Sequence, residues 1–142
     1  MRWQASRELL ASREEVWSFL AEPYHLSDWW PGTSAVRPDR RGLAVGARWE
    51  VEGSTFTPLI GTRGSKSLLL VRRVEPPGLA AWYLTGPRLE VEVRLEEAAP
   101  DRTLATVVVE GAWRPEILGP RSRLAQSAVS RLYALVQTAA SL

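Results

Sequence analysis

The chain has 142 residues, 45% apolar and 24% charged, values of a globular protein large enough to bury roughly 70% of its unfolded surface. Its 18 basic and 16 acidic residues leave a net charge of +2, and every basic residue except Lys66 is an arginine that hardly titrates; Arg40-Arg41 and Arg72-Arg73 are too short to form a nucleic-acid-binding stripe. The absence of cysteine excludes a disulfide framework, a thiolate nucleophile and a Cys-ligated zinc, no apolar run approaches the ~18 residues of a membrane span, and the charged start Met1-Arg2-Trp3-Gln4 argues for a cytoplasmic protein without a secretory leader.

Residues 3–10 are mixed in character and predict a first, edge-like strand. Ser12-Arg13-Glu14-Glu15 is a capping box, in which the Ser12 hydroxyl can accept from the Glu15 amide while the Glu15 carboxylate reaches back. Val16, Trp17, Phe19 and Leu20 follow as the apolar stripe of a helix. Pro23 ends it, residues 24–30 predict one further turn or two, and Pro31-Gly32 closes that, so two short helices separate strands one and two.

From Thr33 onward the pattern is that of strands, with Ala47, Trp49 and Val51 alternating with Arg48, Glu50 and Glu52. Residues 54–65, rich in glycine and small polar residues, predict a hairpin turn flanked by Phe56, Leu59 and Ile60. Residues 67–74 predict a strand, Glu75-Pro76-Pro77-Gly78 a turn, and residues 79–85 the next strand. Leu89, Val91, Val93 and Leu95 then face inward against Arg88, Glu90, Glu92, Arg94 and Glu96, the alternation of an antiparallel sheet with one wet face. Pro100-Asp101-Arg102 turns this strand into residues 103–113. Residues 120–142 place Leu124, Ala128, Leu132, Leu135 and Ala139, with Val129 and Val136, along one side of a single long amphipathic helix. Strands and helices are segregated and no linker divides the chain, which predicts one α+β domain over residues 1–142.

Several stretches resemble the START/polyketide-cyclase (SRPBCC, birch-pollen-allergen-like) superfamily over essentially the whole length. Glu14-Glu15-Val16-Trp17-Ser18-Phe19-Leu20-Ala21-Glu22-Pro23 and Leu26-Ser27-Asp28-Trp29-Trp30-Pro31-Gly32 are similar to its opening helices. Val45-Gly46-Ala47-Arg48-Trp49 is similar to a Gly-led early strand, and Val74-Glu75-Pro76-Pro77-Gly78 with Leu79-Ala80-Ala81-Trp82 to its proline turn and following aromatic strand. The resemblance implies a helix-grip fold: a curved antiparallel sheet of about six or seven strands wrapped on the C-terminal helix around a ligand cavity. It leaves the activity open, because members include lipid carriers, aromatase/cyclases, hormone receptors and chaperone activators.

Seven tryptophans are a large supply of flat apolar surface, and each buried one needs an acceptor for its indole N–H. Trp17 and Trp3 read as packing residues. Trp49, Trp82 and Trp113 fall on strands whose inner face should line the concavity, and the resemblance puts Trp30 at its mouth. On the last helix Leu124, Ala128 and Leu132 face the sheet, and Tyr133, in a polar strip with Gln126, Ser130 and Gln137, could hold a ligand oxygen. These eight residues are the candidate ligand contacts.

Candidates for catalysis are weak. His25 is the single histidine, so neither a multi-histidine metal site nor a Ser-His-Asp triad can be built without it, and it reads as a surface residue near Asp28. Glu110 lies on the strand face opposite Trp113, Glu116 follows the strand, and Arg48, Arg114 and Tyr83 alternate away from their neighbouring tryptophans. Gly61-Thr62-Arg63-Gly64-Ser65-Lys66-Ser67 lacks phosphate-loop spacing. The expectation is a binding or transport protein for a small hydrophobic or aromatic ligand, lipid or polyketide-like, with no cofactor, no metal and no nucleic-acid partner, a homodimer being left open. A cyclase/dehydratase-type enzyme and a protein-interaction module akin to the chaperone activators are the rival readings.

Overall fold

The computed structural model describes residues 2–57, 61–111 and 123–140. Strand β1 (Arg2–Leu9) leads into helix α1 (Arg13–Ala21), a 3-10 turn (Pro23–His25) and the one-turn helix α2 (Leu26–Trp29). Six strands follow: β2 (Thr33–Arg37), β3 (Arg48–Thr57), β4 (Gly61–Glu75), β5 (Leu79–Leu84), β6 (Leu89–Ala99) and β7 (Arg102–Gly111). Helix α3 (Leu124–Ala140) comes last. The seven strands form one antiparallel sheet in the order β1-β7-β6-β5-β4-β3-β2, so the chain's first strand pairs with its last and the early helices carry the chain from one sheet edge to the other. This is the expected helix-grip arrangement.

Local chemistry accounts for the element boundaries. The Ser12 hydroxyl accepts from the Glu15 amide at 3.2 Å, as the capping box requires. The Glu22 carboxylate then accepts from the Tyr24 amide, and Pro23 starts the 3-10 turn, where its missing N–H costs nothing. The second expected helix is therefore two short pieces, the 3-10 turn and α2. Gly32, at φ +77°, makes the reversal from α2 into β2. In the stretch 54–65 the strands reach further than expected, β3 and β4 pairing from Arg48↔Leu70 out to Thr57↔Gly61, and the turn between them, with Leu59 and Ile60, lies outside the described residues. The strand expected from residue 88 starts at Leu89, because Arg88 turns the chain in the left-handed region at φ 58°.

One face of the sheet is consistently apolar. Leu89, Val91, Val93 and Leu95 of β6 are buried, as are Thr103, Ala105, Val107 and Val109 of β7. A bulge at Arg72 lets Val71 and Val74 both keep to this side, opposite Trp82 and Ala80, while Arg72 and Arg73 stay exposed as expected. The opposite face is wetter, yet Val108 and Thr106 are buried there too. β7 lies between two strands: Val108 sits between the longer side chains Gln4 and Glu92, and Thr106 between Arg94 and Ser6, to which it is hydrogen-bonded. The Ser6 and Thr106 hydroxyls meet at 2.8 Å.

Helix α3 packs on β1, β7 and α2. Its buried residues Ala125, Ala128, Val129, Leu132 and Val136 recur at three- and four-residue spacing, and beneath it the strands present Ala5, Ala105 and Val107. Small side chains on both surfaces let helix and sheet approach closely. Thr103, fully buried where β7 meets the β1–α1 corner, donates its hydroxyl to the Ala11 carbonyl at 2.8 Å. Thr103→Val should lower the urea unfolding free energy by about 1–3 kcal/mol, because the carbonyl is left buried without its donor, whereas Thr103→Ser, which keeps the hydroxyl, should lose less.

Candidate functional site

The far half of the inner face, over β3 to β5, is lined by large side chains. Trp49 and Leu69 pair across β3 and β4, and Val71 and Trp82 across β4 and β5. All four are buried. The structure uses the tryptophans among them in two ways.

Trp49 is committed to the loop between β2 and β3. Its indole N–H donates to the Gly42 carbonyl at 3.0 Å, and Leu43 packs against the core beside it. That loop is organised by Asp39, whose two carboxylate oxygens accept from the Arg48 amide at 2.9 Å and the Arg41 amide at 3.0 Å. Arg41 in turn donates from its guanidinium to the Gly46 carbonyl at 2.6 Å. Gly42 and Gly46 both have positive φ, so the loop's path needs glycine at these points. The amide of Arg48, followed by the amide and charge of Arg41, holds the Asp39 carboxyl below its ordinary value against an opposing desolvation effect.

Trp82 has a different environment. Its ring meets Trp29 edge-to-face, centroids 5.9 Å apart at 73°, and Trp29 meets Trp30 in the same manner at 5.9 Å and 85°. The three indoles form a continuous aromatic wall from β5 to the end of α2, with Trp29 1% and Trp82 4% exposed. The Trp82 Nε1–H is buried and has no hydrogen-bond acceptor among the described residues. Trp29 was not among the expected contacts. Its signal was present in the spacing of Leu26, Trp29 and Trp30, which puts all three on one side of a helical turn.

The remaining candidates are dispersed. Ala128 and Leu132 are fully buried on the sheet side of α3, and Leu124 is half-buried. Tyr133 lies at the β1 seam, where the Arg7 guanidinium sits 3.8 Å over its ring; β1 is three strands from β5, about 14 Å at ~4.8 Å per strand, so Tyr133 and Trp82 do not share a wall. Trp113, with Arg114 and Glu116, lies outside the described residues.

His25 is partly exposed in the 3-10 piece of the second expected helix. Its Nδ1–H donates to the Phe19 carbonyl at 2.8 Å and its ring stacks on Phe19 at 4.1 Å, so it ties the 3-10 turn back to α1. Glu110 and Tyr83 face away from the wall, as parity predicted, and Arg72 covers the Tyr83 ring at 5.2 Å. Among the described residues no group of three His, Asp or Glu side chains could hold a metal ion. Two hollows open elsewhere: one lies over β2 and β3 between Arg37, Glu50, Glu52 and Lys66, the other, of about 260 Å³, between Ser12, Glu15, Asp101 and Arg102. Charged side chains line both.

No family model and no curated protein matches the chain in sequence. Solved structures match over nearly all of it. An AHSA1-like protein from Aeromonas hydrophila has a TM-score of 0.71 at 19% identity, covering 99% of this chain and 94% of its own. A norcoclaurine synthase from Thalictrum, solved with a transition-state analogue, has a TM-score of 0.69 at 17% identity, covering 99% and 96%. The Aha1 dimer from Colwellia psychrerythraea has a TM-score of 0.63 at 16% identity, covering 97% and 95%. At such identities the likeness shows the fold, a helix-grip fold. Among the described residues no helix is long and apolar enough to cross a membrane.

The Asp39 geometry carries a pH prediction. A carboxyl held below its ordinary value stabilises the folded chain fully above that ordinary value, and the contribution fades as pH falls through the folded value. Asp39→Ala should therefore lower the melting temperature at neutral pH and alter tryptophan emission through Trp49, and the two proteins should converge in strong acid. Parallel melting curves from neutral pH into the acid range check this.

Proposed function

We propose that the chain binds a small apolar, aromatic-sized molecule on the inner face of the sheet, against Trp82 and between β5 and α2. The observation that carries this reading is the edge-to-face row Trp82, Trp29 and Trp30, a broad apolar surface that gains about 25 cal/mol for each Å² of ligand it removes from water. A helix-grip fold is compatible with such a site.

The outer part of the wall is carried by the weakest local structure. α2 is one turn, set between a 3-10 turn and the Gly32 reversal, and its backbone closure is the Trp30 amide on the Leu26 carbonyl at 2.8 Å. Trp29 rides on this turn and covers Trp82. A ligand takes the place of the Trp29 ring when the turn moves outward, so the side chain acts as an exchangeable plug. Carriage of a lipid-like or polyketide-like molecule in the cytoplasm is the role this binding would serve. A cyclase or dehydratase would use the same surface with a proton carrier added.

Native mass spectrometry of protein from its own host, with identification of any retained molecule, is the direct test, and titration of tryptophan emission with bicyclic aromatics is its in vitro counterpart. A retained apolar molecule near equal stoichiometry supports the reading; empty protein together with no response to the titration overturns it. Trp29→Leu should cost about 2–4 kcal/mol in the free protein by leaving part of a large buried ring unfilled, and bicyclic aromatics should bind it more tightly than the parent and restore its melting temperature.

A further inference from the structure

The Trp82 indole N–H restricts what the wall can receive. An indole nitrogen is a donor only, and buried without an acceptor it leaves a desolvation cost standing. A neighbouring aromatic ring can receive an N–H only on its π face, and that is a much weaker partner than an oxygen. Elsewhere among the described residues Arg13 Nε, at the start of α1, is also buried without a partner, while the Thr103 hydroxyl donates to the Ala11 carbonyl and Thr106 meets Ser6 on the opposite face of the sheet. Trp49, the other indole on the neighbouring strands, has the Gly42 carbonyl. In Trp82 the wall thus presents a fully buried donor without an acceptor among the described residues, and no buried side-chain acceptor is left unmatched beside it.

We propose that the molecule bound against Trp82 is neutral and carries an acceptor without a donor, a ketone, ester or quinone oxygen, which receives the Trp82 N–H. The proposal rests on the ligand-binding reading above and narrows its chemistry. A hydrocarbon fills the surface and leaves the N–H unmatched. An alcohol can accept the N–H but brings a hydroxyl proton that finds no acceptor. A carboxylate accepts well but loses its hydration shell to a surface with one donor and no buried cation among the described residues. Selection therefore follows from the hydrogen-bond count, with shape common to all four.

Four probes on one bicyclic skeleton separate these cases: 2-acetylnaphthalene, 2-isopropenylnaphthalene, 1-(2-naphthyl)ethanol and 2-naphthoate, titrated into the full chain by calorimetry. The ketone should bind at least about fivefold more tightly than the isopropenyl hydrocarbon, and the alcohol and carboxylate less tightly than the ketone. One indole N–H proton resonance should move downfield with the ketone and be missing in Trp82→Phe. Replacing Trp82 with 3-benzothienylalanine, which keeps the bicycle and lacks the N–H, should leave hydrocarbon affinity in place and abolish the ketone preference.

Equal affinity for ketone and hydrocarbon would overturn the acceptor proposal while leaving the ligand-binding reading intact. A ketone preference that survives the benzothienyl replacement overturns the role of Trp82. Binding of none of the four overturns the ligand-binding reading and this proposal with it.

Discussion

One helix cannot cover this sheet. Seven strands at ~4.8 Å spacing span about 29 Å, and a helix with its side chains is about 10–12 Å across, so α3 screens little more than two strands. It lies over β1 and β7, and every other apolar position on the inner face has to be kept from water by something else. Ala5, Ala105 and Val107 lie beneath the helix, and beyond it Trp49, Leu69 and Trp82 are among the residues that need another cover. Two segments of irregular or barely regular backbone finish the enclosure: the loop before β3 over Trp49, and α2 over Trp82.

These two covers are built in opposite ways. The first is closed by directional bonds, with Asp39 holding both ends of the loop through the amides of Arg41 and Arg48 and Trp49 completing it through Gly42. Opening it breaks several charged or neutral hydrogen bonds at once, so it behaves as part of the scaffold. The second is closed by contact between rings, which is non-directional and can be replaced by any flat apolar surface of similar extent. On the proposed reading a foreign molecule substitutes for a side chain here with little loss, because the interaction it displaces resembles the one it makes.

Much of the fold could be read from single residues and their spacing. The alternation through β6 identified its buried face, the Ser12 box marked the start of α1, and the glycine- and proline-free tail marked α3. What escaped was information that depends on contacts distant along the chain. Period two says which way Trp49 and Trp82 point, and it made both look alike; that one meets a loop carbonyl and the other an aromatic ring follows from which segments fold over them. Tyr133 was legible as a flank residue of α3, but its neighbour Arg7 comes from the other end of the chain. His25 had a plausible partner three residues on, and the structure prefers Phe19, six residues back, because α1 and the 3-10 turn pack together. The β4 bulge at Arg72, needed to keep Val71 and Val74 on one face, left no mark in the residue pattern.

The contrast between the two tryptophans bears on how a fold of this kind acquires function. Burial of an indole is a large apolar gain with one polar obligation attached, and a side chain selected for packing alone has that obligation met, as Trp49 does. At Trp82 the apolar gain is taken and the obligation is left open at 4% exposure, on the part of the wall whose cover is least firmly held. A single unmatched donor is a small cost to stability, and on the proposed reading it is a source of affinity for whatever supplies the missing atom. On the proposed reading, the molecule that relieves the deficit differs from a plain hydrocarbon at one atom, and the core that surrounds that atom must remain apolar for the difference to count.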